Sequence, residues 1–309
     1  MDIDRRRFLV LSSTAAAAVP LRSLFAQTPP APPLTRFAGI RRNVGYFSGR
    51  GGTIGWLVNK DAVVVIDTQF PDTAAICLDG LKTKSGRGVD VLFNTHHHGD
   101  HTAGNGTFKP ATKQIVAHAR VPELQKQAAA QPPPPNQPPP PPVVSADVTF
   151  DKTWSTNAGD EKVIATHYGP GHTGGDSIIR FDQANVVHMG DLFFHERHPF
   201  IDRPAGASIQ NWIKTLETVA KEQPADVQYI AGHSKQDLPV LLSRTELMKF
   251  RDYLDAVLSH AKKGISQGQS KDAITALKEL PGFEGYQEAP PRLTLAAALG
   301  VAYDELTAK

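Results

Sequence analysis

Thr95-His96-His97-His98-Gly99-Asp100-His101 is the stretch that most restricts what this chain can fold into. Four donors, His96, His98, Asp100 and His101, fall within six residues, and imidazole nitrogen with carboxylate oxygen is the set that divalent cations take. The stretch follows Val89 to Asn94, a short apolar run that predicts a strand. Layered α/β folds place their sites just beyond the carboxyl ends of strands, so the chain reads as one of these.

Three more donors repeat the arrangement. Gly171-His172-Thr173-Gly174-Gly175-Asp176 comes after a strand predicted over Val163 to His167, Met189-Gly190-Asp191 after one beginning at Asn185, and Gly232-His233 after one over Val227 to Ala231. Isolated histidines seldom bind metal, but strand, glycine and donor recurring three times make coincidence a poor account. The loops are expected to converge on the first cluster.

The remaining pattern supplies the frame. Thr53 to Val58 and Ala62 to Ile66 read as a hairpin across Asn59-Lys60-Asp61, and Asp67 closes its second strand. Pro71-Asp72 opens a helix with Ala74, Cys77, Leu78 and Leu81 on one face, which makes the lone Cys77 a core residue and rules out an intrachain disulfide. Further strands are predicted over Gln114 to His118, Ala146 to Phe150 and Ser177 to Phe181, with helices over Val121 to Ala129 and Ser208 to Lys221. The Ser243-x-x-Glu246 capping box starts a long helix to about Lys262, with Leu247, Phe250, Leu254, Val257, Leu258 and Ala261 on its buried stripe. Each half thus offers strands, a ligand-bearing loop and a packing helix. The expected fold is mixed α/β (α+β), a four-layer αββα sandwich spanning residues 37–262, followed by a helical tail over 263–309.

Both ends and one insertion stand apart. Asp4-Arg5-Arg6-Arg7-Phe8-Leu9 leads into an alanine-rich apolar run, the order of a twin-arginine export signal over residues 1–26, which places the protein in the periplasm or outside the cell. That run is too short to span a bilayer, so no stable membrane span is expected after signal removal. Without residues 1–26 the basic and acidic residues balance at 29 each, leaving no field for nucleic acid. A proline-rich leader covers residues 27–36, and the polyproline run at 131–142 reads as a semi-rigid surface insertion that serves as a spacer, a lid or a docking segment.

The Thr-His-x-His-x-Asp-His run, with a later histidine, an aspartate and a final histidine, resembles the metallo-β-lactamase superfamily over about Phe37 to Lys262. The resemblance implies a first metal site of His96, His98 and His172 and a second of Asp100, His101 and His233. Asp191 matches the bridging aspartate of the glyoxalase II-like branch, where the cysteine-containing lactamases carry a thiolate. Two nitrogen-and-oxygen sites suit Zn2+, two ions per chain, with iron or manganese as substitutes. Asp67 is implied to orient the metal loop, and Asp100 to orient the attacking water and shuttle its proton.

Two such cations would acidify a shared water and polarise a carbonyl, so the leading expectation is a zinc-dependent hydrolase of a small acyl compound: a thioester, a lactone or a β-lactam-like amide. An iron-dependent oxidoreductase of a sulfur compound, or a non-catalytic metal protein docking a partner through the polyproline run, are the alternatives. Ser234 reads as a hydrogen-bonder beside a ligand. His97 is expected to point away from the metals, and His118, His167 and His188 to be hydrogen-bonded within strands. His195 and His198, in a loop with Phe193, Phe194 and Phe200, are candidates for the substrate wall, and Lys235 for a substrate carboxylate. A small-molecule substrate is the expected partner, and the oligomeric state stays open.

Overall fold

The computed structural model describes residues 35–131 and 142–308. The expected export signal, residues 27–34 of the leader and residues 132–141 of the polyproline insertion lie outside them.

The first sheet has seven strands in sequence order: β1 (Arg36–Arg41), β2 (Val44–Ser48), β3 (Ile54–Val58), β4 (Val63–Ile66), β5 (Val89–Asn94), β6 (Thr112–His118) and β7 (Val148–Phe150). Pairing is antiparallel from β1 to β4 and parallel from β4 to β7. The second half supplies β8 (Thr153–Ala158), β9 (Glu161–Thr166), β10 (Ile178–Phe181), β11 (Val186–His188), β12 (Phe194–His195), β13 (Gln228–Ile230), β14 (His233–Ser234) and β15 (Leu241–Leu242). Six of these form a sheet ordered β15-β13-β11-β10-β9-β8, while β12 and β14 pair by themselves. The helices are α1 (Pro71–Ser85), α2 (Gly99–Thr102), α3 (Asn105–Phe108), α4 (Arg120–Ala129), α5 (Ile209–Glu222), α6 (Arg244–Ser266), α7 (Lys271–Thr275) and α8 (Leu295–Thr307).

Successive strand residues point to opposite faces, and in β4 both faces are buried. Val63 and Val65 join Ala74, Cys77, Leu78 and Leu81 of α1 on one side. Val64 and Ile66 join Val163, Ala165, Ile179 and Phe181 of the second sheet on the other. That sheet's outer face, through Ile178, Val187 and Tyr229, packs on Trp212 and Leu216 of α5 and on Leu247 and Phe250 of α6. Three apolar interfaces separate four layers, which is the αββα sandwich expected from the sequence.

Several elements depart from expectation. Strands β1 and β8 were not expected, and each is an edge strand, where one long side of the ribbon faces solvent and the apolar alternation is weak. β2 also went unread; it enters from a turn at Arg42 and Asn43, both in the left-handed region at φ 47° and 62°. On α6, Leu258 is only partly buried while Tyr253 is fully buried, so the stripe is shifted. That helix runs past Lys262 to Ser266, and Ile274 of α7 with Leu295, Ala298, Leu299 and Ala302 of α8 joins the same core cluster as Trp212 and Phe250. Among the described residues no helix is long and apolar enough to cross a membrane.

Candidate metal centre

The first ligand loop is held from beneath by Asp67. This carboxylate is fully buried at the end of β4; its Oδ1 accepts the Thr95 backbone N–H at 2.8 Å and its Oδ2 accepts the Thr95 hydroxyl at 2.7 Å. The same Oδ2 lies 2.7 Å from Nδ1 of His101. One buried carboxylate thereby fixes both ends of the loop between β5 and α2.

All seven expected donors meet, in two sets. His96, His98, His172 and Asp191 each offer one atom, and these atoms lie within 4.8 Å of one another; Asp100, His101 and His233 do the same. In the first set Nε2 of His172 stands 2.9 Å from Nδ1 of His98. Oδ2 of Asp191 is 3.4 Å from the His172 Nε2 and 3.9 Å from the His96 Nε2. In the second, His101 Nε2 is 3.3 Å from His233 Nε2, which is 3.1 Å from Asp100 Oδ2. The other Asp191 oxygen, Oδ1, faces this set at 2.9 Å from His101 Nε2 and 3.4 Å from His233 Nε2. Asp191 therefore straddles the two.

The glycine that precedes His233 is explained by contact. A Cβ at Gly232 would run into Asp191 Oδ1, so only glycine lets the His233 loop cross the shared carboxylate. A Cβ at Gly52 would strike the His101 ring, which shows how closely the loop between β2 and β3 covers the second set.

Where histidines bind metal through one nitrogen, the other is usually held by an oxygen, and that holds here. His172 Nδ1 donates to the Phe200 carbonyl at 2.6 Å, His98 Nε2 meets Asp202 Oδ2 at 2.9 Å, and His96 Nδ1 meets the Thr95 hydroxyl at 3.0 Å. With His101 held by Asp67, each of these four rings turns its remaining nitrogen inward. The His96 Nε2 is buried with no hydrogen-bond partner, and the Asp191 Oδ1, though close to the His101 and His233 nitrogens, forms no aligned hydrogen bond with them. Burying such atoms unsatisfied is costly, and a divalent cation among nitrogen and oxygen donors would satisfy both. The residues present fit a pair of such ions.

Electrostatics divides the sets. Burial holds His96 well below the ordinary histidine range, with the nearby His101 charge adding to it, and burial pulls His172 down to about 3 against the attraction of Asp191. These rings are neutral and ready to donate a lone pair. In the second set burial works the same way but loses: Asp191, Asp100 and Asp67 hold His101 well above its usual range, and Asp191 with Asp100 lifts His233 to about 9. Burial likewise opposes ionisation of Asp191, yet His101 and His233 outweigh it and keep the carboxyl well below its usual range. A cation entering the second set competes with protons for the same nitrogens.

The remaining candidates lie elsewhere. His97 belongs to neither set; with His98 and Asp202 it forms a third cluster of donor atoms, its Nε2 3.7 Å from Asp202 Oδ2. His118 and His167 stack with ring centroids 3.9 Å apart, and His188 Nε2 meets the Thr53 carbonyl at 2.9 Å. His195 turns its Nδ1 to the Pro239 carbonyl, while His198 is buried against Tyr253 and Tyr286 with Nδ1 2.8 Å from the Tyr253 hydroxyl. Lys235 lines a cleft beside His233. The Ser234 hydroxyl is within reach of the Lys235 and Leu238 carbonyls. Sequence reasoning missed Asp202 and the Phe200 carbonyl, which sit in a loop without periodicity or motif.

Comparison with known proteins agrees with this geometry. Residues 48–233 match the family model described as the metallo-beta-lactamase superfamily. A metallo-beta-lactamase type 2 from Bacillus cereus is 22% identical over 220 residues, 70% of this chain and 81% of that protein. A hydroxyacylglutathione hydrolase from Brucella anthropi is 26% identical over 163 residues, 50% of this chain and 52% of its own length. Two solved structures share the fold: a metallo-beta-lactamase from Pontibacter korlensis, with TM-score 0.58 and 16% identity over 72% of this chain and 99% of that one; and a stereoselective inverting sec-alkylsulfatase from Pseudomonas sp., with TM-score 0.66 and 14% identity over 89% of this chain and 50% of that one. From the ligand loops, the layered fold and the matched residues together, the chain belongs to the metallo-β-lactamase superfamily.

Proposed function

We propose that this protein is a dinuclear zinc hydrolase of a small acyl substrate, a thioester, lactone or β-lactam-like amide. The observation that carries the reading is Asp191, whose two oxygens face two separate donor sets across one buried carboxylate. His96, His98 and His172 would hold one ion, Asp100, His101 and His233 the other, with Asp191 between them. Bound there, two divalent cations supply an acidified water and a Lewis acid that polarises the carbonyl under attack.

The chain's own residues supply position and proton transfer. Asp100 keeps about a third of its side chain exposed while Oδ2 rests against His233, so it reaches both the centre and the solvent side. Burial opposes its charge, but the fields of His101 and His233 prevail and keep the carboxylate ionised. It can therefore accept a hydrogen bond from the attacking water and pass the proton to the leaving group. Asp67 and Asp202 hold the His101 and His98 rings in the required tautomers. The relative named a hydrolase of hydroxyacylglutathione supports an acyl substrate.

The test is a panel of thioesters, lactones and β-lactams offered to zinc-loaded protein, with elemental analysis of the metal. Asp100→Asn is expected to lower kcat/KM by about 100-fold or more with the circular dichroism spectrum unchanged. Equal turnover by the variant removes the mechanism, and one metal per chain removes the dinuclear centre.

A further inference from the structure

Against the first ligand loop lies a pocket of about 160 Å3 whose lining includes none of the seven donors. Its floor is the loop itself: His97 stands between His96 and His98, Gly99 between His98 and Asp100, and Thr102 directly after His101. The opposite wall is made by Gln125 and Ala128 of α4 and, just after the polyproline run, by Val143, which is 48% exposed and forms an apolar lip. Among the described residues no charged side chain lines it.

Two of the lining side chains are polar and incompletely bonded. His97 and Gln125 are only 7% and 3% exposed, yet the His97 Nδ1 and the Gln125 Nε2 are buried with no hydrogen-bond partner. The Gln125 Oε1 already accepts the Ser145 hydroxyl at 2.8 Å, so what this amide lacks is an acceptor for its N–H groups. Leaving either group unsatisfied is unfavourable, and here two of them, from separate elements, border one small pocket.

Size and lining then define what fits. An apolar cavity of about 150 Å3 takes a benzene ring. With no charge on the walls, an ionic ligand would lose its hydration and gain nothing in return. A hydroxyl supplies what is missing, because its oxygen accepts from the Gln125 amide and the group donates to, or accepts from, the imidazole nitrogen in either tautomer.

We propose that this pocket is an effector site for a small neutral alcohol or phenol, a ring-sized apolar body that carries one hydroxyl. Its occupant presses on the segment that bears His96, His98, Asp100 and His101, so occupancy here and metal binding at the centre are coupled, and coupling acts equally in both directions.

Calorimetric titration of the full chain with phenol and with toluene tests the site. Phenol is expected to bind about 10-fold more tightly than toluene, the gain of a hydroxyl that completes buried hydrogen bonds. Gln125→Leu, close to the same volume, should bring phenol down to the toluene value, and Ala128→Phe, at an exposed position on α4, should fill the pocket and abolish both. Phenol affinity should also differ about 5-fold between zinc-loaded and metal-stripped protein. Absence of binding, or equal binding of the two ligands, overturns the proposal. So does phenol binding untouched by both variants, which would seat the ligand elsewhere, and phenol binding seen only after residues 132–141 are deleted, which would make that segment the occupant. Equal phenol affinity with and without zinc overturns the effector role.

Discussion

Asp67 contributes no donor to either set, yet three hydrogen bonds from Thr95 and His101 end on it. Asp67→Asn replaces one acceptor oxygen by a donor, so His101 loses the partner that turns its Nε2 inward. Zinc affinity at the second set is expected to fall about 10- to 100-fold in competition with a chelator, while the first set holds. A second residue-scale expectation concerns His118, stacked on His167 and pushed by burial to about 4, below the ordinary 6.5. A histidine whose folded value lies below its unfolded one stabilises the protein fully above about 6.5, and that contribution is lost as pH falls toward 4. Melts at pH 7.5 and 4.5 should show a smaller acid-induced drop in His118→Gln than in the wild type; an identical drop removes His118 from the account. The seven donors could be read from the sequence because strand, glycine and donor recur, whereas Asp202, a single aspartate in an irregular loop, has nothing in its neighbours to mark it.

At the scale of elements, function depends on loops that cross each other with no room for a side chain. Gly52 sits against the His101 ring, so Gly52→Ala must push the loop between β2 and β3 off the second donor set. The expected result is a drop of about 10-fold or more in kcat/KM, following the cost of small misplacements in a catalytic site, with melting temperature nearly unchanged. Wild-type kinetics in that variant would show that the loop takes no part. An interior strand such as β4 was legible because burial on both faces writes a continuous apolar run. The edge strands β1 and β8 were not, since the alternating TWSTNA of β8 buries little and resembles a polar loop. The capping box of α6 was read correctly: Ser243 accepts from Thr245 N–H, and Glu246 reaches back to the Ser243 N–H.

For the whole molecule, layer order was readable from two similar halves, but the place of the C-terminal segment was not. Periodicity announces that α8 is helical and apolar on one face; it does not say that this face closes over Trp212 and Phe250. The two halves also explain why the centre bears on more than chemistry. His96, His98, Asp100 and His101 come from the segment after a strand of one sheet, while His172, Asp191 and His233 come from segments that follow strands of the other. Any ion held there stitches the sandwich across its seam, so a chelator should behave as a mild denaturant aimed at one line of the molecule. Ligand binding to the native state alone adds about 4 kcal/mol at a thousandfold excess over Kd, which predicts a lower melting temperature on stripping and recovery on adding zinc back. A melting curve indifferent to both treatments would mean that the halves are sewn together by packing alone.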